Sequence, residues 1–319
     1  WSLASVGILI ILSLTVSIGV YGYYPVRDTL MGYPTIQLKN KEWITSQYGT
    51  PPVKIATPEF GPFLTTNLRL FFASIIFLPF LLKKKYLSLF KTTWKYSLIY
   101  GCIHNAIPFT LFSYASLESD SNMLAILNST TAFITMLIAY VWLKEKIKLI
   151  QIFGLIIGFC GVVVVVNPDN SNISNQSILM CLVAASLYAF SNVFIQKRSA
   201  NVNIFVIVGW SIIFSTLVLA PLSFVTLPTT MPSYNAILST LWLGSISTGL
   251  AFFGYIYLIN NIGAVKTSTV AYFLPLFGIL WGYIFLNEII TVYAFLGCIM
   301  ILFGIFFATM HKVKSLKEI

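Results

Sequence analysis

The sequence predicts an all-α integral membrane protein with ten transmembrane helices built as two inverted five-helix repeats. Three observations predict it. The 319-residue chain is 58% hydrophobic and only 9% charged, where an average soluble chain carries roughly 25% charged residues. Ten apolar runs approach the length of about 20 residues that a helix needs to cross the hydrocarbon layer. A stretch of the first half also matches a stretch of the second at a constant offset of 143 residues. With a mean hydropathy of +0.87, too little polar surface remains to solvate a globule. A soluble enzyme, a disordered chain and a disulfide scaffold are therefore excluded.

The ten runs fall at about residues 3–24, 63–82, 96–117, 120–143, 149–166, 177–196, 204–226, 236–259, 266–286 and 291–310. They are continuous rather than alternating, so they read as helices and not as barrel strands. Basic residues fix their direction. Lys83, Lys84, Lys85, Lys91 and Lys95 follow span 2; Lys144, Lys146 and Lys148 follow span 4; Lys197 and Arg198 follow span 6. Lys266 marks the junction of spans 8 and 9, and Lys312, Lys314 and Lys317 lie in the tail. Cytoplasmic loops collect Lys and Arg, so both termini are expected in the cytoplasm. A plasma or inner membrane is the expected location, with an organellar membrane as the alternative. The net charge of +10 has the same origin, and no nucleic-acid partner is expected.

The connection between spans 1 and 2, about residues 25–62, departs from this pattern. It is long, contains Pro34, Pro51, Pro52, Pro58 and Pro62, and is nearly neutral. Long segments cross despite some charge, so an irregular non-cytoplasmic cap is expected. It reads first as a linker, and second as part of a substrate mouth. Asn172-Ile173-Ser174 and Asn175-Gln176-Ser177 match the glycosylation acceptor pattern in the span 5–6 loop. Cys102, Cys160, Cys181 and Cys298 all lie inside apolar runs and are expected to pack as small hydrophobes. No cleavable leader is legible at Trp1, and the native start is expected upstream.

The offset of 143 brings Gly101 onto Gly244, Phe109 onto Phe252, Tyr114 onto Tyr257, Tyr140 onto Tyr283, Glu145 onto Glu288, Gly154 onto Gly297 and Gly161 onto Gly304. Apolar stretches match easily by chance, but paired Glu at fixed distances from paired Gly do not. The offset carries spans 3, 4 and 5 onto 8, 9 and 10. An odd number of spans per repeat puts the second copy into the membrane from the opposite side. Accordingly, three Lys follow span 4 and none follows span 9 at Asn287-Glu288-Ile289-Ile290. The expected units are 1–166 and 177–311, with 312–319 as the cytoplasmic tail.

These features resemble the EamA type of the drug/metabolite transporter superfamily. Glu145, a short turn and Gly154 in the first copy, with Glu288, a short turn and Gly297 in the second, look like that family's signature. Pro275 matches its mid-helix proline, where the first copy has Ala132. Asn67-Leu68-Arg69 with Ala73 resembles the Arg-then-small start of its second helix. The long connection at residues 28–58 departs from bacterial members. The resemblance implies a secondary active transporter that moves a small organic metabolite, an amino acid or related compound, by alternating access in the export direction. H+ or another ion would be the coupling partner.

Polar groups at membrane depth are costly and therefore informative. His104 and Asn105 lie near the centre of span 3, one turn before Pro108, which frees a backbone carbonyl. A proton or substrate role for His104 and a neutral interhelical hydrogen bond both fit. Ser121, Asn128, Thr131 and Thr135 form a polar stripe at helical spacing in span 4, suited to uncharged recognition or to interhelical packing. Asn192 in span 6 and Thr248 in span 8 are further candidates, with Ser186, Tyr188, Ser247, Tyr255 and Tyr257 beside them. Tyr272 and Trp281 are mid-span aromatics suited to a ring or a cation. Arg69 needs water, a headgroup, a partner or an anionic substrate. Glu145 and Glu288 read as helix caps or gate latches, and Pro108 and Pro275 as points of bending. The expected central cavity is lined by spans 1, 3, 4, 6, 8 and 9.

No phosphate-binding Gly-rich Lys-Ser/Thr loop, catalytic constellation or His/Cys metal spacing is legible. No cofactor or metal is expected, and the lipid bilayer is the one obligatory partner. Nothing in the sequence specifies an oligomeric state. Two competing readings remain: an exchanger for an anionic or nucleotide-linked metabolite, using Arg69 and Lys266, and a channel or non-transporting receptor.

Overall fold

All regular structure among the described residues is helical. The computed structural model describes residues 52–144, 149–165, 174–199, 202–262 and 290–309. Span 2 is α1 (Pro52–Leu81), followed by the short α2 (Lys84–Leu87). Span 3 is α3 (Phe90–Tyr100), a π-helical turn π1 (Gly101–Ala106) and α4 (Ile107–Glu118). Span 4 is α5 (Ser121–Asn128) and α6 (Thr131–Leu143), and span 5 is α7 (Leu149–Val165). Spans 6 and 7 are α8 (Asn175–Ser199) and α9 (Ile204–Val225). Span 8 is α10 (Tyr234–Trp242), a second π-helical turn π2 (Leu243–Leu250) and α11 (Ala251–Ile262), and span 10 is α12 (Val292–Thr309). Spans 1 and 9, and with them Glu145, Lys266, Tyr272, Pro275, Trp281 and Glu288, lie outside the described residues. Among the described residues, five stretches are long and apolar enough to cross a membrane: Ile55–Leu81, Met123–Leu143, Asn175–Arg198, Ile204–Val225 and Tyr234–Asn261.

One expectation is corrected here. The end of the span 1–2 connection, from Pro52 to Pro62, is helical and not irregular. Ala56 and Phe60 bury themselves against Ala236 of α10, and this apolar contact holds the segment helical. The helix breaks at Gly61 (φ 75°, ψ 162°), a conformation essentially restricted to glycine. Pro62 then opens the next turn, where a missing N–H costs nothing. Cys181 and Cys298 are buried as expected, whereas Cys160 is exposed.

Among the described residues, two larger hydrophobic clusters join the spans. Leu70, Phe77, Tyr100, Ile207, Ile212 and Phe252 join spans 2, 3, 7 and 8. Met123, Phe133, Val162, Cys181 and Ile301 join spans 4, 5, 6 and 10. Span 6 contributes to both, through Cys181 to the second and Ile195 to the first.

The charges separate toward the two ends. The Arg198 guanidinium lies 4.8 Å from the Tyr96 ring and the Lys197 ammonium 5.0 Å from the Trp142 ring, so the basic end of span 6 meets the start of span 3 and the end of span 4. At the other end, Ser174 Oγ donates to Glu118 at 2.8 Å, and Ser233 donates to Glu59 through its N–H at 2.5 Å and its hydroxyl at 2.7 Å.

The offset of 143 residues relates three features of the described helices. The offset of 143 carries Gly101–Ala106 onto Gly244–Gly249, and both segments are π-helical. Spans 5 and 10 pack backbone to backbone: a Cβ on Gly161 would meet Gly297 O at 2.8 Å, and one on Gly304 would meet Gly154 O at 2.5 Å. These contacts exchange under the offset, since 154 maps to 297 and 161 to 304. Gly101 and Gly244 stand likewise against the backbones of spans 7 and 2. Small residues let membrane helices approach this closely, where dispersion and not the hydrophobic effect holds them together.

Gly161→Ala and Gly304→Ala are each expected to destabilise the protein by about 1–3 kcal/mol through overpacking. The check is the thermal unfolding midpoint in detergent, with Val163→Ala, at a 70% exposed position, as the unaffected comparison. Midpoints equal to the parent's would contradict the backbone contact.

Candidate substrate-binding site

The π turns do most to place polar groups in the bundle. A π turn takes i→i+5 hydrogen bonds and displaces the residues after it around the helix axis. In span 3, π1 ends at Ala106, two residues before Pro108, whose ring would clash with an ordinary α-helical carbonyl four residues earlier. The widened turn accommodates the ring and turns His104 and Asn105 inward, where both are buried.

His104 sits in an aromatic enclosure. Its ring stacks on Tyr100 at 4.6 Å and on Tyr255 at 5.6 Å, with Tyr188 at 5.3 Å and Phe252 at 5.9 Å meeting it edge-on. His104 Nδ1 lies 2.6 Å from Ser191 Oγ. The Ser191 hydroxyl donates its single proton to Tyr188 O at 2.8 Å. The imidazole is therefore the donor, with its proton on Nδ1. Above it, Tyr100 Oη donates to Tyr255 Oη at 3.4 Å and Tyr255 Oη to Asn192 Oδ1 at 2.7 Å. This chain of hydroxyls joins spans 3, 8 and 6.

Arg69 closes the cluster from span 2. It lies two turns beyond the Gly61 break, at the middle of the apolar stretch Ile55–Leu81, deeper than its position in the predicted span 63–82 suggests. Its Nε donates to Thr248 Oγ1 at 2.7 Å, and its guanidinium lies 4.0 Å from the Phe109 ring centre. Phe109 in turn packs 6.2 Å from Tyr188. Among the described residues no carboxylate faces the guanidinium, and no hydrogen bond engages its two terminal nitrogens. A charged fork beside aromatic rings thus adjoins the His104 enclosure.

The structure brings together Arg69, His104, Asn192 and Thr248 of the sequence candidates. Asn105 points the other way, donating to Ser211 Oγ at 3.2 Å, while its Oδ1 is buried without a partner. The span 4 stripe stays local: Thr131 Oγ1 donates to Asn128 Oδ1 at 3.3 Å and Thr135 Oγ1 to Thr131 O at 2.7 Å. Ser129 and Thr130 likewise bond Ile126 O and Leu127 O at the break between α5 and α6. Tyr100 and Ser191 were missed by sequence reasoning. Tyr100 stands four residues before His104, the spacing that shares a helix face, and Ser191 immediately precedes Asn192. Both signals were present but are common in apolar helices.

Comparison with known proteins supplies the family. Residues 48–167 and 175–310 match the model of the EamA-like transporter family. An uncharacterized transporter of Clostridium kluyveri is 28% identical over 93% of this chain and 96% of its own. The uncharacterized transporter YoaV of Bacillus subtilis is 27% identical over 81% of this chain and 90% of its own. A crystal structure superposes with a TM-score of 0.62 at 15% identity, covering 96% of both chains, and so shares the fold.

Tyr255→Phe removes the hydroxyl that connects Tyr100 to Asn192 and leaves Asn192 Oδ1 without its donor. Hydrogen bonds between membrane helices contribute about 0.6 kcal/mol on average and up to about 1.7. A small fall in the unfolding midpoint is expected, and Asn192→Ala combined with Tyr255→Phe should cost less than the sum of the two. Additive losses would mean that the two groups do not interact.

Proposed function

Because the chain belongs to the EamA-like transporter family, we propose that it is a secondary active transporter for a small organic metabolite bearing a carboxylate. Amino acids and related compounds are the leading class, moved outward by alternating access between two inverted five-helix repeats. The two segments matching the family model, the paired π turns and the exchanged glycine contacts of spans 5 and 10 support the repeat architecture. The positive-inside rule supports cytoplasmic termini.

The observation that carries the substrate class is the Arg69 guanidinium at membrane depth without a carboxylate partner among the described residues. On insertion scales an Arg at the helix centre costs about 2.5–3.5 kcal/mol. A hydrogen bond to Thr248 contributes about 0.6–1.7 kcal/mol, and a partly desolvated cation–π contact with Phe109 about 1–2 kcal/mol. These come close to offsetting the cost, so the residue is tolerated in an empty site. Neither contact neutralises the charge. With Nε engaged, the two terminal nitrogens present the parallel donors that a carboxylate accepts bidentately. The ring faces of Phe109, Tyr188 and His104 would receive the apolar part of the cargo.

An exchanger for an anionic or nucleotide-linked metabolite is the second reading. It is favoured because no carboxylate stands beside the cluster, among the described residues, to receive an amino acid's ammonium group. Cation–π contact with the tyrosines would serve that group instead.

The test is counterflow in proteoliposomes, with labelled amino acids, organic anions and nucleotide sugars as cargo, with and without a pH gradient. Saturable exchange of carboxylates, but not of the corresponding decarboxylated amines, is expected. Hydrogen bonds to charged groups contribute about 1.5–3 kcal/mol, so Arg69→Gln should raise the half-saturation concentration about 10- to 100-fold. Unchanged affinity in Arg69→Gln would overturn the reading, and conductance without saturation would indicate a channel.

A further inference from the structure

The same grip occurs twice in this bundle. In π1, a Cβ on Gly101 would stand 2.6 Å from Ser211 O, and Asn105 Nδ2, four residues on, donates to Ser211 Oγ. In π2, a Cβ on Gly244 would stand 2.6 Å from Arg69 O, and Thr248, four residues on, accepts from Arg69 Nε. Each π turn thus holds one residue of the facing span by its backbone and by its side chain. Gly101 and Asn105 map onto Gly244 and Thr248 at the offset of 143. The gripped residue is a neutral serine in one copy and the charged Arg69 in the other.

We infer that Thr248 is a positioning residue for Arg69, and that the π turn beneath it sets its orientation. The hydroxyl has one proton, which it donates to Leu243 O at 2.9 Å, five residues back. On α-helical turns, the buried Thr93, Thr110 and Thr135 reach a carbonyl four residues back, and Thr240 those three and four back. Only the wider turn offers Thr248 the acceptor at five. With its proton committed there, the oxygen is left as an acceptor, and an arginine can only donate. The contact therefore has one polarity and fixes the guanidinium over Phe109 with its terminal nitrogens free. Without it, the long side chain regains its rotamers, and an anion must order it on binding.

This inference rests on the reading of Arg69 as the carboxylate ligand, and the experiment separates the two. Half-saturation and maximal rate of counterflow are measured for the best-exchanged carboxylate of the amino acid and organic anion panel. The variants are Thr248→Val, Thr248→Ser and Arg69→Gln, together with the Arg69→Gln/Thr248→Val double variant. Thr248→Val, which keeps the shape and loses the hydroxyl, should raise the half-saturation concentration about 3- to 10-fold, within the range of one interhelical hydrogen bond, and change the maximal rate less than twofold. Thr248→Ser should restore the parent value. In the Arg69→Gln background, Thr248→Val should add nothing. Ser211→Ala, which loosens the neutral grip, should lower the unfolding midpoint and leave half-saturation unchanged. A normal half-saturation in Thr248→Val, or an effect that persists in the double variant, overturns the inference while an impaired Arg69→Gln leaves the substrate reading standing. An unimpaired Arg69→Gln, or no exchange of any carboxylate in the panel, overturns both.

Discussion

A single guanidinium in the middle of an apolar helix constrains what packs around it. Arg69 cannot reach the ends of the bundle's apolar zone from the centre of Ile55–Leu81, so its neighbours must supply what water would. They do so with the quadrupole of Phe109 and the oxygen of Thr248. Both lie on helices distorted at the same repeat position, Phe109 three residues beyond π1 and Thr248 inside π2. A straight α-helix advances about 100° per residue, so an added residue in one turn is enough to move a side chain from one neighbour to another. The π turns are thus the means by which two apolar helices aim polar groups at one place.

The two grips show how a duplicated scaffold becomes asymmetric without losing its packing. The glycine approaches are conserved between the halves of the chain: 101 with 244, 154 with 297, 161 with 304. These contacts are between backbones and tolerate no Cβ. The side chains placed by them differ, Asn105 with Ser211 at one grip and Thr248 with Arg69 at the other. A binding site for an asymmetric molecule requires such a difference, since two equivalent halves would present the same chemistry twice.

Much of this was legible because apolar length, basic loops and repeat spacing are set by the bilayer itself. Eight of the predicted spans fall on described helices, with ends displaced by a few residues, except at Pro52–Pro62. There the prolines suggested irregular chain, but the burial of Ala56 and Phe60 against Ala236 depends on a tertiary contact that local composition does not reveal. His104, Arg69, Asn192 and Thr248 were legible because polar groups at depth are few. Their association was not, since contacts separated by 63 to 179 residues in the chain leave no periodicity. The π turns left no pattern either: Gly101 and Gly244 looked like ordinary packing residues, and only the offset hinted that they served the same purpose.

The span 4 stripe shows why polarity at helical spacing is a weaker guide than charge. Hydroxyls in a membrane helix can bond a carbonyl one turn back on their own helix, as Thr135 does with Thr131 O and Thr130 with Leu127 O, and so satisfy themselves locally. A guanidinium has no acceptor lone pairs and five donors to place, too many for its own helix, whose carbonyls are already engaged. It must recruit groups from other spans. An arginine at depth therefore organises a site between helices, whereas a row of threonines need only reshape its own. In span 4 that reshaping is the break at Ser129–Thr130, where both hydroxyls bond back to the preceding turn.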